Sequence, residues 1–173
     1  MLAVLLTISC RGRNYVVIDN ERYRLPRKVT ATADAAVIAL QAKMQSCGIT
    51  VITVGQDYLI SIPSAFLFPN QSPRLTWQSY GVLNLVITFM KQFRKVAVNV
   101  TSHSSKFVST RRELSLTEAR SRAVADYLWS QGVDSRFIFT EGAGSDKPIT
   151  PYSTNSDKSL NSRIDITFRD TIV

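Results

Sequence analysis

The chain has 173 residues, of which 45% are hydrophobic and 20% are charged. This composition supports a folded core and argues against wholesale disorder. The formal net charge of +8 favours an anionic partner such as nucleic acid, acidic lipid or a carboxylate-bearing polymer. No nucleic-acid-binding motif accompanies the charge, so we expect no nucleic-acid partner. The sequence has no run of about 18 apolar residues, so we predict no membrane-spanning helix.

The first ten residues form an apolar segment that ends at Cys10. The segment resembles the end of a bacterial lipoprotein signal, in which the peptide is removed before a cysteine that then carries the lipid. We therefore predict acylation of Cys10, with residues 1–10 as the signal remnant. Arg11 follows the cysteine, at a position where an Asp would signal retention in the inner membrane. The lipid is therefore expected to lie in the outer membrane. The same residues also fit a buried strand, with Cys10 as a core thiol or a disulfide partner of Cys47. Cys47 is otherwise expected to be a buried, inert thiol.

Residues 11–56 are predicted to form an N-terminal extension. Its β-branched segment at 15–18 indicates a short strand. A helix is expected from Thr32 or Asp34 to about Ser46, with apolar residues three and four apart on one face. Two β-branched segments, at 49–54 and 58–62, then predict a hairpin.

The remainder, residues 57–173, is predicted to be one domain, of which residues 57–169 are expected to fold alone. The predicted elements are, in order, a strand at 58–62, a helix at 76–93, a strand at 96–100, a helix at 116–130 capped by Thr117, and strands at 137–141 and 163–168. Loops are expected at 63–73, 101–113 and 142–160. The order β-α-β-α-β-β indicates an α+β fold in which helices pack on one face of a mixed sheet.

Four short motifs follow one another in the second half of the chain. They are Leu116–Arg120 with the apolar pairs after it, Gly132–Arg136, Gly142–Pro148 and Asn161–Ile166. In this order and spacing they resemble the OmpA-like C-terminal domain, over about residues 57–169. The resemblance implies an OmpA-like sandwich that binds the peptide stem of peptidoglycan, in the bacterial periplasm and without a cofactor.

The resemblance also implies site residues. The ligand of the family, a diaminopimelate residue, carries carboxylate and ammonium groups, and a guanidinium can offer a carboxylate two parallel donors. Arg120 matches the ligand arginine of the family, and Arg163 matches the second arginine of the closing motif. Both could instead belong to structural ion pairs, with Glu118 or Asp165 as partners.

Two positions depart from the family pattern. The family reads His-Thr-Asp where this chain has His103-Ser104-Ser105, so Ser105 stands in place of the acid that would face the ligand ammonium. The family also tends to place an acid after its aromatic pair, where this chain has Pro69-Asn70. We expect Ser105 and Asn70 to line a site whose peptidoglycan binding is weakened, altered or lost. His103 is interpreted either as part of this site or as a residue that fixes its own loop.

No catalytic constellation is recognisable, because the single histidine has no nucleophile and acid spaced around it. The two cysteines lack metal-site spacing, so no metal is expected. A lipoprotein signal followed by an OmpA-like domain that differs from the family pattern also resembles a lipoprotein of the Dot/Icm type IVB secretion system. Three functions follow as hypotheses: an anchor of an envelope complex to the wall, a structural subunit that docks on partner proteins, and, least favoured, a wall enzyme.

Overall fold

The computed structural model describes residues 15–18, 21–24, 31–107, 109–133, 135–150 and 160–171, with side chains from residue 35 onward. The strands are β1 (Tyr15–Ile18), β2 (Glu21–Arg24), β3 (Thr50–Val54), β4 (Asp57–Pro63), β5 (Ala97–His103), β6 (Phe137–Gly142) and β7 (Arg163–Arg169). The helices are α1 (Ala31–Ser46), α2 (Ser64–Leu67), α3 (Ser79–Met90) and α4 (Thr110–Ser130). Cys10 and the predicted signal remnant lie outside the described residues.

Five strands form one mixed sheet in the order β3-β4-β7-β5-β6, and β1 pairs with β2 in a separate hairpin. Strands β5 and β6 run parallel, whereas β7 pairs antiparallel with both β4 and β5. The predicted α+β fold with helices on a mixed sheet is confirmed. Among the described residues, no helix combines the length and apolar character needed to cross a membrane.

The core lies between one face of the sheet and helices α3 and α4. Alternate residues of the three central strands face the helices, since side chains along a strand point to opposite sides. The fully buried members are Ile60, Ile62, Val98, Val100, Ile164 and Ile166 from the strands, and Leu83, Val86, Met90, Val124 and Leu128 from the helices. These side chains are the apolar stripes that the sequence pattern predicted.

Four aromatic rings fill one end of this core. Tyr58 of β4 stacks on Phe168 of β7 with ring centroids 5.2 Å apart. Phe89 of α3 lies edge-on to Phe93, with 5.0 Å between their centroids, and both contact Tyr58. We call Tyr58, Phe89, Phe93 and Phe168 the aromatic cluster.

Helix α4 begins at Thr110, not at residue 116 as predicted. Ser109 occupies the N-cap position, and Thr117 lies within the helix, where its hydroxyl donates to the Glu113 carbonyl oxygen at 2.9 Å. The prediction was wrong because the first turns are mostly polar and read as a loop. A helix can begin with exposed polar turns when one side chain per turn faces inward, as Glu113 does with 2% exposure.

Two other helix boundaries differ from the sequence pattern. A single turn, α2, forms within the predicted loop at 63–73, and α3 is shorter than the predicted helix at 76–93. Lys95 closes the C-terminal end of α3, because its Nζ donates to the carbonyl oxygens of Met90 and Phe93 at 2.7 and 3.2 Å. A cation at this end also suits the helix dipole.

Cys47 is exposed, so the expectation of a buried thiol was wrong. Met44, one turn earlier on α1, is fully buried. The chain turns away at Gly48, whose φ is +77°, a conformation that favours glycine. Cys47 therefore lies in the turn after α1 and off its buried stripe.

Part of the predicted extension belongs to the sheet. Strand β3 pairs antiparallel with β4, from Thr50 opposite Ser61 to Val54 opposite Asp57. Helix α1 packs against α3 and β3. The division of the chain into 1–10, 11–56 and 57–173 stays a prediction, and its second boundary falls in the turn of this hairpin.

Candidate functional site

Arg120 is fully buried on the inner face of α4. Its Nε donates to the Ser72 carbonyl oxygen at 2.9 Å, and a terminal nitrogen lies 3.4 Å from the Pro69 carbonyl oxygen. The guanidinium carbon is 4.9 Å from the centroid of the Phe68 ring, within the range of a cation–π interaction. Arg120 thus fixes the segment 69–72, which we call the binding loop.

The binding loop is held in an unusual backbone conformation. Gln71 has a φ of +52°, which is uncommon for a residue other than glycine. Its side-chain oxygen accepts a hydrogen bond from Arg112 of α4 at 3.0 Å. Asn70 is exposed at the tip. Strained conformations persist only where the surroundings enforce them, and two arginines of α4 do so here.

Buried serines lie where β5 ends and β7 begins. Ser105 Oγ is 2.8 Å from Ser162 Oγ, which also accepts the Ser105 backbone N–H at 2.9 Å. The Ser64 N–H, at the start of α2, donates to the Ser162 carbonyl oxygen. We call Ser64, Ser104, Ser105 and Ser162 the serine cluster.

Two hydroxyls of the serine cluster differ from the others in their hydrogen bonding. Ser64 Oγ and Ser104 Oγ are buried and have no hydrogen-bond partner among the described residues. A buried polar group without a partner costs about 1–3 kcal/mol, so such atoms are expected to bind water or a polar ligand. Ser64 precedes Phe68 by one turn, and the Phe68 N–H donates to the Ser64 carbonyl oxygen. The serine cluster and Arg120 therefore border the same segment from two sides.

Glu113 and Thr117 join α4 to the neighbouring loops. The Glu113 carboxylate accepts the Phe107 N–H at 2.6 Å and the Ser145 hydroxyl at 2.7 Å. Thr117 Oγ1 accepts the Gly144 N–H at 3.1 Å. These bonds fix the loops at 104–107 and 142–145 against the helix.

Strand β6 also approaches α4 closely. A Cβ atom on Gly142 would lie 2.5 Å from the Glu118 backbone nitrogen, so a larger residue there would push the strand and helix apart. This close approach explains why the Gly142–Pro148 motif begins with glycine, and it brings the loop at 142–145 within reach of Thr117.

Sequence reasoning missed Glu113, because the residue was assigned to a loop. The available signal was helical spacing, since Glu113, Thr117 and Arg120 are four and three residues apart. All three are buried. They form one polar stripe along the buried face of α4.

A second polar group lies on the opposite face of the sheet. The Asp165 carboxylate accepts hydrogen bonds from Arg163 Nε at 2.9 Å and from Ser61 Oγ at 2.7 Å, and His103 Nε2 lies 3.3 Å away. Burial alone raises the pKa of Asp165, but the hydrogen bonds from His103 and Ser61, together with the charge of Arg163, hold that pKa below its ordinary value. The ion pair suggested for Arg163 and Asp165 is therefore present.

The predicted site residues do not all come together. His103 and Arg163 are cross-strand partners on the face away from α4, because the alternate residues Ile164 and Ile166 face the helices. Ser105 belongs to the serine cluster, and Asn70 belongs to the loop that Arg120 holds. The alternative pair of Arg120 with Glu118 is not formed, since Glu118 pairs with Arg122. The sheet separates Arg120 from Arg163, and a role of either in ligand binding stays a prediction.

The arrangement beside α4 suits binding. It offers a guanidinium and buried hydroxyls, which are donors for a carboxylate, whereas His103, the one imidazole, is on the other face with Asp165. Among the described residues, no group of three or more His, Cys, Asp or Glu side chains is placed to hold a metal ion.

Comparison with known proteins agrees with this fold. Residues 67–162 match the model of the OmpA family. The chain belongs to this family. The match spans α3, β5, α4 and β6 and includes Arg120 and the serine cluster apart from Ser64. The resemblance drawn from the four motifs is confirmed at the level of the family.

Proteins similar in sequence carry lipoprotein and peptidoglycan names. The chain is 31% identical over 157 residues to "Probable lipoprotein YiaD" of Escherichia coli, an alignment that covers 91% of this chain and 72% of the relative. It is 30% identical over 99 residues to "Peptidoglycan-binding protein ArfA" of Mycobacterium tuberculosis, covering 57% of this chain and 30% of that protein.

Solved structures of envelope proteins share the fold. The cell wall anchor of the type VI secretion system from Pseudomonas aeruginosa superposes with a TM-score of 0.67 at 22% identity, covering 78% of this chain and 97% of the anchor. A periplasmic domain of Helicobacter pylori MotB gives a TM-score of 0.61 at 22% identity, covering 72% and 81%. At these identities the likeness establishes the fold.

Proposed function

We propose that this OmpA-family chain is a non-enzymatic anchor that binds the peptide stem of peptidoglycan from the periplasmic face of the outer membrane. Membership of the family and the names of the relatives support this proposal. The wall polymer is rich in carboxylates, which suits the net charge of +8.

The observation that carries the proposal is the position of Arg120. It lies at the place of the family's ligand arginine, beneath the binding loop, with Ser64 Oγ and Ser104 Oγ buried and without partners among the described residues. A stem carboxylate would take donors from Arg120 and these hydroxyls, with the binding loop moving to admit it. Ser105 supplies hydroxyl hydrogen bonds where the family has a carboxylate, and these are weaker than charge-assisted ones.

A second function is favoured by a different observation. Arg120 is fully buried and bonded to loop carbonyls, which is the geometry of a structural residue. In this alternative, the chain keeps the fold, has little affinity for the wall, and docks on partner proteins of an envelope complex. His103 and Arg163 both contact Asp165, and a role of either in ligand binding stays a prediction in both alternatives.

A pull-down with purified sacculi separates the two functions. Wild-type protein should sediment with sacculi, and Arg120→Ala should stay in solution. Arg122→Ala is the matched control, because Arg122 lies on the same helix but is exposed and pairs with Glu118. Circular dichroism of each variant establishes that the protein used is folded.

The outcomes distinguish the proposals clearly. Binding by wild type and by Arg122→Ala, but not by folded Arg120→Ala, supports the anchor. Failure of the wild-type protein to sediment with sacculi supports the docking subunit. Release of peptide or sugar fragments from the sacculi would contradict a non-enzymatic role.

Lipidation of Cys10 is part of the proposal. The support is the apolar segment before the cysteine and a relative named as a lipoprotein. Mass spectrometry of protein purified from envelopes should show a chain that begins at an acylated Cys10. An unmodified chain that retains Met1 would contradict it.

The narrower resemblance is to the DotK (IcmN) lipoprotein of the Dot/Icm type IVB secretion system. It implies other secretion-complex proteins as partners. This assignment stays a prediction, and co-purification of the chain with secretion-complex subunits from envelopes would test it.

A further inference from the structure

An exposed aromatic surface lies beside the binding loop. Trp77 is 79% exposed and Tyr80 is 42% exposed. Tyr80 stacks on Tyr127 of α4 with centroids 5.0 Å apart, and the Tyr127 hydroxyl donates to Asn84 Oδ1 at 2.8 Å. We call Trp77, Tyr80, Asn84 and Tyr127 the aromatic surface.

Helical backbone places these residues together. Gln78 already has helical angles, and hydrogen bonds three residues apart, from Ser79 to Thr76 and from Gly81 to Gln78, extend the first turn of α3 backwards. Trp77 and Tyr80 are therefore neighbours on one helix face, since residues three apart in a helix lie on the same side. Tyr80 in turn stacks on Tyr127, so the surface extends from α3 onto α4.

The chemistry of this surface suits a sugar. It combines flat apolar rings with phenol and amide groups, and none of its four members is charged. A pyranose ring has an apolar face of C–H groups that stacks on an aromatic ring, and hydroxyls that pair with amides and phenols.

The position of the surface fits the polymer whose stem the binding loop is proposed to hold. Arg120 and Tyr127 are seven residues apart on α4, about 10.5 Å along one face of the helix. In peptidoglycan, the diamino acid is the third residue of the stem, and three extended residues span about 10–11 Å. A stem held at Arg120 with its sugar end directed towards Tyr127 would thus bring its own sugar to the aromatic surface.

We propose that the aromatic surface is a glycan subsite, in which Trp77 and Tyr80 stack on the disaccharide that bears the bound stem. The inference rests on the proposed function, because the stem must be held at Arg120 for the sugar to reach the rings. Recognition of both parts would select stems attached to a glycan strand over free peptides.

The test compares two soluble probes by isothermal titration calorimetry. One probe is the free tripeptide L-alanyl-D-glutamyl-diaminopimelate, and the other is the same tripeptide on its disaccharide. Wild-type protein should bind the disaccharide probe about three- to tenfold more tightly, the range expected for aromatic stacking. Trp77→Ala should remove this difference and leave the affinity for the free tripeptide unchanged.

Trp129→Ala is the matched control. Trp129 is 67% exposed near the C-terminal end of α4, outside the aromatic surface, so its loss should leave the difference intact. Since the chain has two tryptophans, Trp129→Phe makes Trp77 the only one. Its emission should then shift with the disaccharide probe and not with the free tripeptide.

The possible results separate the two proposals. Equal affinity of wild type for the two probes overturns the glycan subsite and leaves stem binding standing. A Trp77→Ala variant that weakens both probes equally also overturns it, because Trp77 would then act through the binding loop. Binding of neither probe by wild type overturns the proposed function, and the subsite with it.

Discussion

The two ends of the β4–β7 strand pair are built from different chemistry. At one end, Tyr58 and Phe168 stack within the aromatic cluster. At the other, Ser64 and Ser162 continue from the same strands into the serine cluster. The apolar end is stabilised by burial, which has little directional requirement. The polar end depends on hydrogen bonds with specific partners, and two hydroxyls of the serine cluster have none among the described residues.

This difference separates stability from binding. Substitutions in the aromatic cluster should lower the free energy of unfolding and leave the affinity of the folded protein unchanged. Substitutions around the serine cluster and Arg120 should change both, because the same hydrogen bonds position the binding loop and hold the fold. Substitutions at four positions measure how far stability and binding can be separated.

Phe89→Ala should have the largest effect. Phe89 is fully buried and its ring contacts Tyr58 and Phe93, so its removal leaves a cavity and should lower the free energy of unfolding by about 3–5 kcal/mol. Urea denaturation measures the loss. Phe139→Ala, at a 55% exposed ring on β6, should change it by less than about 0.5 kcal/mol. Loss of sacculus binding by the folded Phe89→Ala variant would contradict the proposed separation of stability from binding.

Arg120→Ala should affect both properties. Removing the buried guanidinium leaves the Ser72 and Pro69 carbonyl oxygens of the binding loop without this donor, and should cost about 2–3 kcal/mol in stability. The same change should abolish binding of sacculi. Chemical denaturation and the pull-down, run side by side with Arg122→Ala, measure the two effects. If stability falls while binding persists, Arg120 is a structural residue and the ligand is held elsewhere.

Asp165 should make the free energy of unfolding depend on pH in the acidic range. Its pKa in the folded protein lies below the ordinary value, so its contribution is complete above the unfolded pKa of about 3.9 and is lost as pH falls through the folded pKa. Asp165→Asn leaves Arg163 buried without a carboxylate partner and should cost about 1–3 kcal/mol near neutral pH.

The difference between wild type and Asp165→Asn should therefore shrink when the pH is lowered from 5 towards 2, as followed by thermal unfolding. Asp126→Asn, at an exposed position on α4, serves as the control and should show no comparable trend. A constant difference across this range would mean that the charge of Asp165 contributes nothing to stability.

The apolar end of the β4–β7 strand pair could be predicted from the sequence, whereas the polar end could be predicted only in part. Alternation in Ile60–Ile62 and Ile164–Ile166 identifies inward residues without further information. The same alternation could have placed Arg163 on the outer face, since it precedes an inward Ile164. That inference was missed because the resemblance implied that Arg120 and Arg163 both bind the ligand.

The serine cluster and the role of Glu113 could not be read from local patterns. Ser105 and Ser162 are far apart in sequence and meet only because β5 pairs with β7. Because the first turns of α4 are mostly polar, the segment was predicted to be a loop, and the inward orientation of Glu113 was not predicted. Local patterns report which residues alternate or repeat, and they do not report which loops a helix will fix.

Glu113 provides the smallest and sharpest test of the polar end. If its role is to position the loops at 104–107 and 142–145, then Glu113→Gln should be tolerated, with a loss of less than about 1 kcal/mol. The glutamine oxygen can accept the Phe107 N–H, and its amide can donate to Ser145, whose hydroxyl turns to accept.

Glu113→Ala removes both bonds and should cost about 1–3 kcal/mol in stability. Binding of sacculi should also weaken, because the loop at 104–107 carries part of the serine cluster. Glu118→Gln, at an exposed position, is the control. If Glu113→Gln keeps its stability but loses binding as completely as Glu113→Ala, then the Glu113 carboxylate faces a cationic group of the ligand. Helix α4 would in that case supply the acid that the family has at the position of Ser105.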